Sequence, residues 1–293
     1  MIGQGIMAAV RKNKVSSIAA ASPAARQEQK KLRQGVLLLI FLVILLAGCA
    51  VSLYLLRIKL FEKNPRFTLR TVQINSSGYW GRSKENRNAL IRKLNLQPGK
   101  DNLFALNHAK LRQELRSLPN VADAKVKPQL PDMLEIEIEE RIPRAFLGRS
   151  NSELVVDANG MVMESRQCFG VHPRLPVIVS LHNRGVKPGV IRPGLHDALA
   201  LIMSIQRYEC FSAALISLLH ADSLTVTMDY RSGNSVSRYY VTMPRGNYPE
   251  LLDILRSAII DARRHRDDRN VVNLTFDGAV VMSYNGMHRK AAQ

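Results

Sequence analysis

The sequence of 293 residues is poor in aromatic side chains (6%), with a single tryptophan and only three cysteines, Cys49, Cys168 and Cys210. Three scattered cysteines build no disulfide framework, although Cys168 and Cys210 are open to pairing outside the cytoplasm if their Cα atoms come within reach. There is no Cys-x-x-Cys and no His-Glu-x-x-His, and the seven histidines are dispersed, so spacing offers no zinc site. A membrane-anchored hydrolase would need a nucleophile beside a base, but Gly-x-Ser-x-Gly and serine-lysine motifs are missing. Acidic residues are scarce as well, 24 against 42 Lys and Arg, for a net charge of +18. Such a balance suits nucleic acid, anionic lipid or an anionic polymer. The bases are spread out, however. The one dense run, Arg263-Arg264-His265-Arg266 with Arg269, has no aromatic interleaving and reads as a solvated helix end whose cations suit the C-terminal dipole. Nucleic acid and small-molecule substrates are therefore not expected, and neither is a cofactor.

What the chain has is one long apolar run. Gly35 to Leu56 is 22 residues without a charge, and about 20 apolar residues at ~1.5 Å rise cross a ~30 Å hydrocarbon core. Within it Leu46-Ala47-Gly48-Cys49 resembles the lipobox of bacterial lipoproteins. A cleaved signal has no use for the continuation through Leu53, Tyr54, Leu55 and Leu56, and residues 1–34 already exceed the roughly 15–30 residues of a whole signal peptide. An uncleaved anchor over residues 35–56 is expected. The preceding tail, residues 1–34, carries seven Lys or Arg against one acid, which favours a cytoplasmic tail and a translocated main domain. Its Ala, Ser, Lys and Gln content predicts disorder.

After a juxtamembrane linker, residues 57–66, the pattern predicts a β-α-α-β-β domain over residues 67–147. Leu69, Val72 and Ile74 form a first strand. Leu90, Ile91 and Leu94 fall at helical spacing, with Pro98-Gly99 as the stop. Asn107 caps a second helix whose Leu111, Leu115 and Leu118 make one stripe. In Leu134-Glu135-Ile136-Glu137-Ile138-Glu139 the period of two sends three aliphatic side chains inward and three carboxylates outward. Three identical carboxylates in one solvated environment do not make an acid and base pair, which needs environments that separate their pKa values.

Residues 148–284 are strand rich. Leu154-Val155-Val156 and Met161-Val162-Met163 flank a turn at Asp157-Ala158-Asn159-Gly160, with Asn-Gly supplying positive φ. An apolar segment from Pro176 to Leu181 precedes a helix carrying Ala198, Leu199, Ile202 and Ile205. Leu224 to Tyr230 and Val236 to Met243 make a hairpin across Ser232-Gly233-Asn234. Pro249 begins a helix, and Val271 to Phe276 and Ala279 to Tyr284 are the last strands, joined by Asp277-Gly278. Residues 285–293 form a disordered tail.

The order of these elements, together with "LPNVADAKVKPQLPDMLEIEIEERIPRAFL" (Leu118 to Leu147), "LVVDANGMV" and Leu175-Pro176-Val177-Ile178, resembles the bacterial division protein family FtsQ, called DivIB in some lineages. The chain departs from the family at Asn120, where many members have an apolar tryptophan, and at Asn273-Leu274-Thr275, where an Asp-Leu-Arg pattern is usual. The resemblance implies an α+β fold: an N-terminal transmembrane helix, a POTRA domain, then a mixed helix and antiparallel-strand β domain. It implies a non-catalytic divisome scaffold in the inner membrane at the division septum, with the main domains periplasmic. The implied partners are FtsB/FtsL-like bitopic proteins and other divisome components.

If Ala279 to Tyr284 lies at a sheet edge, its free N–H and C=O groups accept a partner strand. Val280, Met282 and Tyr284 would then point one way and Val281 and Ser283 the other. In the family this edge holds FtsB. Arg256, Arg263 and Arg264, exposed on the helix from Glu250 to Arg264, would meet acidic residues of the partner. A POTRA-containing envelope transport or assembly factor is the alternative. With about 145 residues after the POTRA domain, no barrel could follow.

Overall fold

The computed structural model describes residues 23–180, 185–276 and 278–284, with side chains from residue 35 onward. The chain divides between Lys63 and Asn64 into two compact units. The first is dominated by α1 (Pro23–Arg57), 35 residues that continue into a π-helical turn, Ile58–Glu62. Its apolar side chains from Val36 to Leu56 are 47–69% exposed, and the most apolar 18-residue window within Gly35–Glu62 has a mean hydropathy of 3.1. A helix whose aliphatic surface has no protein partner is suited to lipid, where its internal hydrogen bonds satisfy the main chain. Helical structure begins 12 residues ahead of the apolar run, so the tail expected to be disordered up to Gln34 is corrected from Pro23 on. Proline fits the first helical turn, where its missing N–H costs nothing. Residues 1–22 and 285–293, both expected to be disordered, lie outside the described residues. Within residues 57–66, expected as a juxtamembrane linker, lie the division between the two units, the π-turn and the start of a 3₁₀ turn, Pro65–Phe67.

In the second unit, β1 (Thr71–Asn75) runs parallel to β3 (Met133–Glu140), which pairs antiparallel with β2 (Val121–Gln129), giving the order β1-β3-β2. Helices α2 (Tyr79–Arg82), α3 (Lys84–Lys93) and α4 (His108–Arg116) supply one side of the core. Leu134, Ile136 and Ile138 are buried with Leu90, Leu111 and Leu115, while Glu135 and Glu137 face Lys127 and Lys125 across the register. α3 stops at Asn95, not at Pro98-Gly99: Asn95 is left-handed (φ +52), Leu96 N–H bonds the Ile91 carbonyl and Asn95 N–H that of Arg92. This Schellman end satisfies two orphan carbonyls before the proline is reached. Glu140 closes the other end of the layer. Its carboxylate accepts from Ser76 Oγ (2.5 Å), Tyr79 N–H (2.7 Å) and Trp80 N–H (2.8 Å).

Among the described residues the larger sheet has nine strands. In chain order they are β4 (Ala145–Leu147), β5 (Leu154–Val156), β6 (Val162–Glu164), β7 (Val177–Ser180), β8 (Phe211–Leu218), β9 (Ser223–Ser232), β10 (Ser235–Pro244), β11 (Val271–Phe276) and β12 (Ala279–Ser283). Their spatial order is β12-β11-β10-β9-β8-β7-β4-β5-β6. α5 (His196–Ile205) connects the parallel neighbours β7 and β8, and α6 (Tyr248–Arg264) connects β10 and β11. Leu199, Ile202, Leu252 and Leu255 from the two helices share one core with Ile216, Val226 and Val241 of the sheet. The expected end of the first domain at Leu147 is corrected, because β4 pairs with β5 and β7 and so belongs to this sheet. Leu181, the end of the expected apolar segment, and Asp277 of the last turn lie outside the described residues.

Side-chain contacts of Asn120 and Arg141 join the two layers. Asn120, 2% exposed, accepts from Trp80 Nε1 (3.3 Å) and donates from Nδ2 to the Gln167 carbonyl (2.7 Å). The Arg141 N–H bonds the Asn120 carbonyl (2.9 Å). Arg141 Nη1 meets Asp157 Oδ2 at 2.8 Å, with side-chain exposures of 17% and 6%. Asp157 Oδ1 also accepts from the N–H groups of Asn159 and Met161. That carboxylate, with Gly160 at φ +80, shapes the β5–β6 turn, and Asn159 is not left-handed. Cys168 and Cys210 are free thiols packed against different clusters.

Two predictions follow from the packing. Asp157→Ala strands a largely buried guanidinium and should cost about 2–4 kcal/mol, read as a lower denaturation midpoint in urea. Tyr248, buried on α6, donates to Asp197 Oδ1 (3.0 Å). Burial, and then that bond, pushes its phenol up to about 12. An unfolded phenol ionises near 10, so the native state holds the proton longer and this stabilisation, intact below pH ~10, is lost as pH rises toward 12. Tyr248→Phe should flatten that alkaline decline in thermal unfolding.

Candidate partner-binding edge

The two ends of the nine-stranded sheet are finished differently. At one end, the segment Gly189–Arg192 lies along β6. The Val162 N–H bonds the Val190 carbonyl (3.0 Å), the Gly189 N–H bonds that of Val162 (2.9 Å), and the Arg192 N–H bonds that of Gly160 (2.9 Å). The approach is so close that a Cβ on Gly160 would sit 2.9 Å from the Arg192 carbonyl oxygen. At the other end is β12, and among the described residues no strand lies beyond it.

β12 pairs antiparallel with β11 through Val271↔Ser283, Val272↔Met282 and Asn273↔Val281, then shifts register before Phe276↔Ala279. Asn273 causes a local turn within β11: its Oδ1 accepts from Thr275 N–H (2.9 Å) and Oγ1 (2.7 Å). Met282 packs against the core, whereas Val281 is 46% and Val280 37% exposed. Ala279 and Ser283 are exposed. Tyr284 follows the strand and is 62% exposed, with its phenol pushed up by a hydrogen bond to Asp268. Val280 and Met282 line a groove of about 390 Å³ beside the last turns of α6, together with Ala258, Asp261, His265 and Asp267.

Sequence reasoning missed Arg269 at this edge. Its Nη1 donates to the Met282 carbonyl (3.0 Å), and its guanidinium holds Asp267. That hydrogen bond keeps the Asp267 carboxyl below its ordinary range. In the sequence, Asp267-Asp268-Arg269 reads only as an interruption of a basic run, because nothing local announces that its last member reaches the final strand.

The three arginines singled out on α6 differ. Arg256 is exposed. Arg263 is half-buried. Its Nη2 donates to Ser235 Oγ (2.9 Å) and Ser237 Oγ (3.0 Å), and its guanidinium lies 5.3 Å from the Tyr230 ring centroid. The expectation of an exposed Arg263 is corrected: it ties α6 to the β9–β10 hairpin. Arg264 is exposed. Among the described residues no group of three or more His, Cys, Asp or Glu is arranged to hold a metal ion.

These features define a POTRA-containing protein in which, among the described residues, one helix is long and apolar enough to cross a membrane. Residues 67–141 match the POTRA domain family of FtsQ type. The chain is 25% identical over 117 residues to the cell division protein DivIB of Clostridium tetani, covering 40% of this chain and 42% of that one. With the cell division protein FtsQ of Novosphingobium aromaticivorans it shares 45% over 63 residues, 22% and 20% of the two chains. With FtsQ of Koribacter versatilis it shares 22% over 194 residues, 66% and 54%. Over these stretches the chain is similar to division proteins of the FtsQ and DivIB type, and residues 67–141 carry the FtsQ-type POTRA domain. The matched stretches span about half or less of these relatives' own lengths.

Arg263→Ala should loosen the β9–β10 hairpin without unfolding the domain. Hydrogen exchange in residues 231–238 is expected to rise at least tenfold, while exchange in β3 stays unchanged.

Proposed function

We propose that this chain is a non-catalytic scaffold of bacterial cell division, anchored by α1 in the cytoplasmic membrane with its tail inside and its two sheets in the periplasm, and recruited to the septum. It holds FtsB/FtsL-like single-span proteins by strand addition to β12, and so links early and late division proteins. The observation that carries this reading is the asymmetry of the large sheet. One end is covered by its own chain, while the other ends in a short strand with exposed valines at 280 and 281. Main-chain groups along such an edge give affinity, and alternate side chains give selectivity. The named relatives support the division context.

Arg256 contributes on the rim, where charge acts on association rate more than on affinity. Arg263, engaged within the fold, supports the surface without touching the partner.

The test is photo-crosslinking in growing cells from a reactive residue at 281. Capture of a small single-span coiled-coil protein is expected, and much less from 282, which faces the core. Val281→Glu should weaken that capture at least tenfold, about 1.4 kcal/mol. If 281 captures nothing while positions in the POTRA domain capture outer-membrane assembly proteins, the scaffold reading falls and an envelope assembly role replaces it.

A further inference from the structure

The smaller sheet presents an aliphatic side chain to solvent at the end where the chain enters it. The β2–β3 turn is Gln129-Leu130-Pro131-Asp132, its first three residues are exposed, and Leu130 is 62% exposed. This turn lies beside the start of β1: Thr71 pairs with Met133, and the Arg70 N–H bonds the Asp132 carbonyl (2.8 Å). A second loop comes to the same end, since the Gly99 N–H bonds the Leu69 carbonyl (2.7 Å) and the Leu69 N–H bonds that of Asp101 (2.8 Å). The exposed cations there are Arg66, Arg70 and Lys100. Their acidic neighbours are already engaged. Asp132 faces Arg70 at 3.6 Å, and the Asp101 carboxylate accepts from Gln97 N–H at 2.7 Å.

Only six residues lie between Lys63 and Arg70, and these seven Cα-to-Cα steps reach no farther than about 25 Å. An exposed leucine flanked by cations is the chemistry of a surface that rests on a bilayer, with the apolar group among the acyl ends of the headgroup layer and the cations on anionic phosphates. We propose that the β2–β3 turn docks on an anionic lipid surface through Leu130, with Arg66, Arg70 and Lys100 around it. The POTRA domain is then held to the bilayer at a second point besides the anchor. This proposal rests on the reading of α1 as a membrane span.

The experiment uses the full chain in nanodiscs of phosphatidylethanolamine and phosphatidylglycerol. A photo-reactive residue replaces Leu130 or, as control, the equally accessible Val236 near the β9–β10 turn, which is 58% exposed. Lipid adducts at 130 should exceed those at 236 at least fivefold, and Arg66→Glu with Arg70→Glu should reduce them at least threefold. Equal yields at the two positions, or capture of a second copy of the chain at 130, would overturn the docking while leaving the anchor intact. An unchanged yield in the double variant overturns the role of the cations. A chain that does not enter the discs removes the anchor, and the docking with it.

Discussion

Satisfaction of main-chain hydrogen bonds is the constraint on which the rest of this structure depends. In the interior of α1 the N–H and C=O groups are used within the helix, which is what suits its 22 uncharged residues to hydrocarbon. In the second unit the same requirement fixes the margins of each layer. Glu140 takes the first N–H groups of α2, a left-handed Asn95 closes α3, and Gly189–Arg192 supplies β6 with the partners it would otherwise lack. β12 is the margin left without such a cover among the described residues. On the proposed reading, a partner's main chain would complete what the fold leaves incomplete at β12.

Much of the fold is legible in the sequence because its strongest signals are periodic. Leu134, Ile136 and Ile138 alternate with glutamates, Leu111 and Leu115 share a helical face, and the apolar run is long enough to cross a membrane. β8 escapes because Phe211–Leu218 does not alternate: the register shifts between Ala213 and Leu215, and Ala213 and Ala214 weaken the pattern. β4 escapes because Ala145–Leu147 is three residues long and its pairing with β7 spans some thirty residues of intervening chain. Parallel neighbours joined through α5 and α6 are set by tertiary packing, which local words do not encode. The helix stop at Asn95 was hidden behind the more familiar Pro98-Gly99.

The candidate edge was legible as the last strand, but its surroundings were not. An arginine in a basic run looks solvated in any linear reading, yet Arg263 is spent on Tyr230 and two serines and Arg269 on Met282 and Asp267. Asn120 makes the same point. As a replacement for an apolar anchor it reads as a loss, whereas its amide joins Trp80 to Gln167 across the two sheets. A buried amide with both ends occupied fixes a geometry that an apolar contact leaves free to slide.

β11 meets β10 over only three residue pairs, Tyr240↔Val271 to Thr242↔Asn273, and β12 meets the sheet only through β11. The terminal hairpin is therefore a flap with a narrow root. Pulled outward it would open like a zipper, one pair after another, while a load directed along the strands would be shared by all pairs at once. The direction of a pulling load, more than its size, would decide whether such a joint holds.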